Sequence, residues 1–183
     1  MRKDVLITLL LLVVIVAGLS FWAYSVQQQN RPAPAPSSAE SALRTATTSG
    51  TFTNLDGEVT GLDAYTGSII VAHAWASWVP SSPDTLRELA ALQREYPTES
   101  VVVLAINRSE PPATAKLFLE QIEQPDLTYI IDQTDHFFQT VGGRTMPETV
   151  LYDRNGDVAA HLKGPLSIAE LRREIETIQG VGE

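Results

Sequence analysis

Cysteine is absent from all 183 residues. That single absence removes disulfides, thiolate metal sites and iron–sulfur clusters together, and with them every thiol nucleophile. Histidine is nearly as scarce. His73, His136 and His161 are the three present. No His-x-His or His-x-x-x-His spacing joins them, so no metal centre is expected. Positive charge is short too: 13 Lys and Arg face 22 Asp and Glu, a formal balance of −9. With no basic cluster outside the extreme N-terminus, the chain repels a phosphate backbone, and nucleic acid is not expected as a partner. No glycine-rich loop cradles a phosphate; Gly142-Gly143 falls at a predicted helix end, where glycine relieves the left-handed conformation. No cofactor is expected.

Charge of either sign is also missing from Val5 to Tyr24. Twenty predominantly apolar residues at about 1.5 Å each cover roughly 30 Å, the thickness of a hydrocarbon core. Arg2 and Lys3 precede the run, and Trp22 and Tyr24 close it, where interfacial aromatics belong. The expectation is a cytoplasmic N-terminus over residues 1–4 and a single transmembrane anchor over 5–25, with everything after it extracytoplasmic. A cleavable signal peptide, cut after Ser25, is the competing reading. Residues 26–50 are rich in Pro, Ala and Ser, including Arg31-Pro32-Ala33-Pro34-Ala35-Pro36. Alternating prolines favour an extended backbone, so this stretch reads as a semi-rigid tether.

Residues 51–180 carry the periodicity of one folded domain. A short hairpin is expected over Thr51–Thr53 and Glu58–Thr60, around the Asn54-Leu55-Asp56-Gly57 turn. Near-continuous apolar runs at Ser68–Ala74 and Ser100–Ile106 predict strands covered on both faces. Helices are predicted over Pro83–Glu95, with Leu86, Leu89, Ala90 and Leu92 inward, and over Pro112–Glu123, with Ala115, Leu117, Phe118 and Ile122 inward. A strand follows at Leu127–Ile131, then a short helix at Thr134–Val141 capped by Thr134. Glu148–Tyr152 and Val158–Leu162 form a hairpin around Asp153-Arg154-Asn155-Gly156. A helix at Ser167–Ile178 closes the domain, with Ser167 as N-cap and Glu170 three residues on. The order implies a layered α/β domain with helices on both faces of a mixed sheet.

Between the first buried strand and its helix lies Trp75-Ala76-Ser77-Trp78-Val79-Pro80-Ser81-Ser82-Pro83. Strand, Trp-rich turn and amphipathic helix form the frame in which thioredoxin-like oxidoreductases carry Trp-Cys-x-x-Cys. The two cysteine positions here read Val79 and Ser82. Further on, Met146-Pro147-Glu148-Thr149-Val150-Leu151-Tyr152-Asp153-Arg154-Asn155-Gly156 is very like that group's Pro-Glu/Thr-Thr-x-x-x-Asp-x-x-Gly segment. With the N-terminal hairpin, the insertion from Pro112 to Ile131 and Gly164-Pro165-Leu166 before the last helix, the chain resembles the thioredoxin superfamily. The resemblance is to its membrane-tethered TlpA/ResA-like branch. It implies a thioredoxin-like fold, a cis Met146–Pro147 bond beside the turn, and a thiol–disulfide ancestry.

Thiol exchange needs a thiolate to attack and a second sulfur to resolve. Val79 offers no nucleophile, and the Ser82 hydroxyl is scarcely ionised without a positioned base. Trp78, Val79, Pro80, Ser81 and Ser82 therefore read as a degenerate active site, with Met146 and Pro147 as its peptide-binding edge. Trp75, Trp78, Val79, Pro80, Met146 and Pro147 make either an apolar patch for a peptide or plain packing, with Trp75 in the core and Val79 against Met146. Ser81 and Ser82 are expected to cap or start the helix. A Ser82–His73 nucleophilic pair is not expected, since His73 lies along a buried strand. Glu148 is a conceivable acid or base near the turn, though a strand-edge carboxylate is more often solvated. Asn107-Arg108-Ser109 matches a glycosylation tripeptide but reads as a loop after a strand. The expected function is a redox-inactive binding or assembly module, with a protein or peptide partner from envelope thiol–disulfide or cytochrome c maturation systems. An oxidoreductase working through a partner's thiols or other chemistry, and a structural spacer, are the alternatives.

Overall fold

The computed structural model describes residues 52–180. The expected anchor at 5–25 and tether at 26–50 lie outside these residues. Among the described residues no helix is long and apolar enough to cross a membrane.

β3 (Ile69–Trp75) is the axis of the sheet, and all seven of its residues are buried. β4 (Val101–Arg108) runs parallel to it, and β6 (Glu148–Tyr152) runs antiparallel on its other side. Seven strands stand in the order β2-β1-β5-β4-β3-β6-β7. The outer members are β1 (Phe52–Asn54), β2 (Val59–Thr60), β5 (Thr128–Asp132) and β7 (Val158–Lys163). Parallel neighbours need long crossovers, and these are supplied by α1 (Ser82–Gln93) and α2 (Pro112–Gln121).

Side chains alternate across a strand, so β3 feeds two cores. Ile70, Ala72 and Ala74 pack with Leu104, Ile106, Val150 and Tyr152 beneath Leu62 and the Phe137–Phe138 pair. Those last residues belong to a 3₁₀ turn (Leu62–Tyr65) and to α3 (His136–Thr140). On the opposite face Ile69 and Val71 meet Leu89 and Leu92 of α1, and Leu171 and Ile175 of α4 (Ile168–Gln179). Trp75 on that face stacks on Phe118 of α2, with ring centroids 5.4 Å apart, and meets Tyr129 edge-on. Helices therefore cover both faces, as the element order implies.

Local chemistry explains the boundaries. Asn54 shapes the β1–β2 turn, its Oδ1 accepting from the Asp56 and Glu58 amides at 2.9 Å. Ser167 caps α4 by accepting from the Glu170 amide at 3.4 Å, and Gly180 ends that helix at φ +72°. Two expectations need correction. Thr134 does not cap α3: the carboxylate of Asp132, at the end of β5, accepts from the His136 and Phe137 amides at 2.9 and 2.8 Å. A charged acceptor two residues nearer the sheet outcompetes the hydroxyl. Leu117 does not face inward either; it is 57% exposed, and Leu119 is buried in its place. α2 packs through Ala115 and Leu119, four residues apart on one face, which turns Leu117 to the opposite side.

His73 sits fully buried in mid-β3, its Nδ1 2.8 Å from Thr149 Oγ1 and its Nε2 without a partner. Burial disfavours the imidazolium and lowers its pKa to about 4. The fold therefore takes up this proton later than the unfolded chain, so the titration of His73 leaves stability unchanged above about pH 6.5 and subtracts from it as pH falls towards 4. The loss expected by pH 4 is about 3 kcal/mol. Urea unfolding of wild type and His73→Val at pH 7.5 and 4.5 checks it: the acid-side loss should be smaller in the variant, and equal losses would refute it.

Candidate functional site

The turn after β3 follows from how that strand ends. Trp75 is held in the core, and the chain leaves the sheet at Ala76 and Ser77. The Val79 amide donates to the Ala76 carbonyl at 3.1 Å, and the Ser82 amide donates to the Val79 carbonyl at 3.0 Å. α1 begins at Ser82 with Pro83 in its first turn, where a missing N–H costs nothing. Val79 and Ser82 are buried at 5% and 2% exposure, Pro80 is exposed, Ser81 is half-buried, and Trp78 projects to solvent at 60% exposure. Ser81 occupies the N-cap position without a side-chain cap bond. Ser82 does not cap either; its Oγ donates to the Ala76 carbonyl at 2.9 Å, inside the turn. That hydroxyl proton is committed to a carbonyl. His73 binds Thr149 instead, so no base activates Ser82.

β6 delivers the second half of the site. Its register pairs Glu148 with Ala74, so the preceding Met146 and Pro147 lie beside the point where β3 runs into the turn. The Met146–Pro147 bond is cis. Pro147 is buried and Met146 half-buried, the latter against the core under α3. The Pro147 carbonyl accepts from Gly164 at 2.9 Å; among the described residues no hydrogen bond outside the strand ladders engages Met146.

A family model described as the AhpC/TSA family matches residues 43–161. The chain belongs to the AhpC/TSA family. The thiol-disulfide oxidoreductase ResA of Geobacillus kaustophilus is 26% identical over 130 residues, which is 70% of this chain and 73% of that protein. The thiol:disulfide interchange protein DsbE of Allochromatium vinosum is 26% identical over 116 residues, or 63% of this chain and 62% of that protein. A solved structure of a candidate DsbE from Chlorobium tepidum is 25% identical with a TM-score of 0.65, covering 70% of this chain and 92% of that one. The fold of this AhpC/TSA-family chain is thus thioredoxin-like, and it carries no cysteine.

Two carboxylates brace the candidate site of this AhpC/TSA-family chain, and neither was legible as such. Glu148 is not a solvated strand-edge acid. β6 lies between β3 and β7, and Glu148 is 1% exposed. Its Oε1 accepts from the amides of Arg144 and Thr145 at 2.8 and 2.9 Å and from Thr145 Oγ1 at 3.0 Å; its Oε2 lies 2.6 Å from His161 Nε2. Burial pushes its pKa up, but the Arg144 and Thr145 amides, His161 and the Thr145 hydroxyl outweigh that and hold it below the ordinary value. The carboxylate so shapes the loop leading into Met146–Pro147. Glu110, in the loop after β4, drew no notice in the sequence. It is 7% exposed and accepts from the amide and hydroxyl of Ser77 and from Asn107 Nδ2. The available signal was position: loops beyond the carboxyl ends of parallel strands are where α/β sheets build sites. Asn107 is fully buried, which disposes of the glycosylation tripeptide.

Replacing Glu148 by Gln keeps the shape and removes the charge. It puts an amide N–H against a cluster of donors. The expected loss is about 1–3 kcal/mol in denaturant unfolding, with faster amide exchange at Arg144 and Thr145. Unchanged exchange at those two amides would show that the carboxylate does not hold the loop.

Proposed function

We propose that this chain is a membrane-tethered, extracytoplasmic binding module on a thioredoxin-like frame, without thiol redox activity. The observation that carries it is Trp78. A large aromatic at 60% exposure stands on the turn whose entry from β3 lies beside the cis Met146–Pro147 bond, in a chain with no cysteine. Exposed tryptophan is a common anchor of protein–protein contacts, because it buries much apolar area and loses few rotamers in doing so. The partner is a protein or an extended peptide. The names of the relatives, thiol-disulfide oxidoreductase and thiol:disulfide interchange protein, support a partner from a thiol–disulfide system. The TlpA/ResA-like resemblance of the turn and of the Met146-Pro147 segment is the ground for placing that system in the envelope or in cytochrome c maturation. The uncharged run from Val5 to Tyr24 supports the tether.

A photo-crosslinking residue in place of Trp78, in cells, should yield a discrete adduct that stays with carbonate-washed membranes. The same residue in place of Leu117, on the outer face of α2, should not. Equal labelling from both positions would sink the binding reading, and adducts only in the soluble exported fraction would sink the tether.

The emptied active site has its own test. The Ser82 amide bonds the Val79 carbonyl at 3.0 Å, a turn closure that keeps the flanking Cα atoms within about 7 Å. That is close to the roughly 4.4–6.8 Å a disulfide requires. Wild type should reduce no insulin. Val79→Cys with Ser82→Cys should form an intramolecular disulfide and gain exchange activity, the first thiol being acidified at the helix N-terminus. Cysteines that stay reduced under mild oxidation, or pair only between molecules, would mean that the turn is not an emptied dithiol site.

A further inference from the structure

We propose that Glu110 is the positioning residue of the Trp78 turn, fastening it through hydrogen bonds to the neighbouring strand end at β4 and so holding it in one conformation. The inference rests on the reading of this face as a binding surface. Glu110 Oε2 accepts from the Ser77 amide at 2.9 Å, and its Oε1 from the Ser77 hydroxyl at 2.5 Å. Oε2 accepts again from Asn107 Nδ2 at 2.7 Å. Ser77 is the residue before Trp78, and Asn107 stands level with Trp75 across the β3–β4 ladder. One buried carboxylate thus joins the turn to the end of a central strand. An ionised carboxylate only accepts, and bonds to it are shorter and stronger than neutral ones.

The loop bearing Glu110 is itself held. The Ser109 amide donates to the Asp132 carbonyl at 2.8 Å, and Arg108 forks onto Asp135 at 2.6 and 3.0 Å over the ring of Phe138. Among the described residues, the remaining hydrogen bonds of Ser77 to Ser81 run to neighbours within the turn and the first turn of α1. They shape the turn; Glu110 attaches it. The backbone at Ser77 is pinned while the Trp78 indole one residue on stays in solvent. This is a preorganised anchor, whose ordering cost is met before any partner arrives.

The test uses full-length protein labelled with fluorotryptophan. Three tryptophans, Trp22, Trp75 and Trp78, give three assignable fluorine signals. Glu110→Gln and Ser77→Ala should shift or broaden the Trp78 signal and leave that of Trp75 in place. Amide exchange at Ser77 should rise about tenfold in Glu110→Gln, as for the loss of a typical bond. Ser77→Thr keeps both donors and should restore the wild-type signal. If Glu110→Gln does not fold, the Ser77 pair decides alone. A Trp78 signal and Ser77 exchange unmoved in the substituted proteins would overturn the assignment. So would a Ser77→Thr that behaves like Ser77→Ala. No partner enters these readouts, so they stand or fall apart from the crosslinking at Trp78.

Discussion

β3 is hydrogen-bonded along both edges and packed on both faces, and its seven residues leave no side chain in solvent. A strand so confined cannot slip by one residue without exchanging its two cores, since alternate side chains feed opposite faces. Its last residue, Trp75, is stacked on Phe118 and met edge-on by Tyr129. The place where the chain leaves the sheet is thereby fixed. The turn, the start of α1, the end of β4 and the entry to β6 are arranged around that point. The candidate site is the solvent-facing end of a constraint that begins in the middle of the core.

Much of this was open to a reading of the chain. The runs around Ile69–Trp75 and Val101–Arg108 carry the signature of strands covered twice. The Trp-rich turn and the Met146-Pro147 segment mark their own positions through proline and aromatic chemistry. Expectation and structure part where a stronger neighbour took over a local role or where the deciding partner lay far along the chain. Thr134 looked like a cap because its hydroxyl stood at the right offset, yet Asp132 reached the same amides with a charge. Leu117 has the character of a core residue, but Ala115 and Leu119 set the buried face of α2. Glu110 and Ser77 are 33 residues apart and share no periodic pattern. Glu148 could be seen, but not its burial, because the identity of the strand outside β6 depends on sheet order.

The turn after β3 is closed without sulfur. Val79 is buried in the turn, and Ser82 turns its hydroxyl inward to the Ala76 carbonyl. Either side chain would be anomalous in a site built for exchange; together they satisfy the turn with ordinary packing and an ordinary hydrogen bond. Reactive groups need a destabilised, accessible form, and neither residue has one. What the site presents is an aromatic ahead of the helix, a cis proline across from the end of β3, and a buried carboxylate bracing each side.

The same composition decides how the molecule meets its surroundings. A compartment's thiol–disulfide poise acts through exchange at sulfur, and this chain presents neither thiol nor disulfide for it to act on. Glutathione or an oxidase finds no atom to exchange with. The single sulfur among the described residues is the thioether of Met146, half-buried next to Pro147. It answers to a different class of reagent, the oxygen-donating oxidants that turn a thioether into a polar sulfoxide. The chemical vulnerability of the domain is thus separated from thiol–disulfide balance, and what remains of it is carried by one thioether packed against the core beside a cis proline.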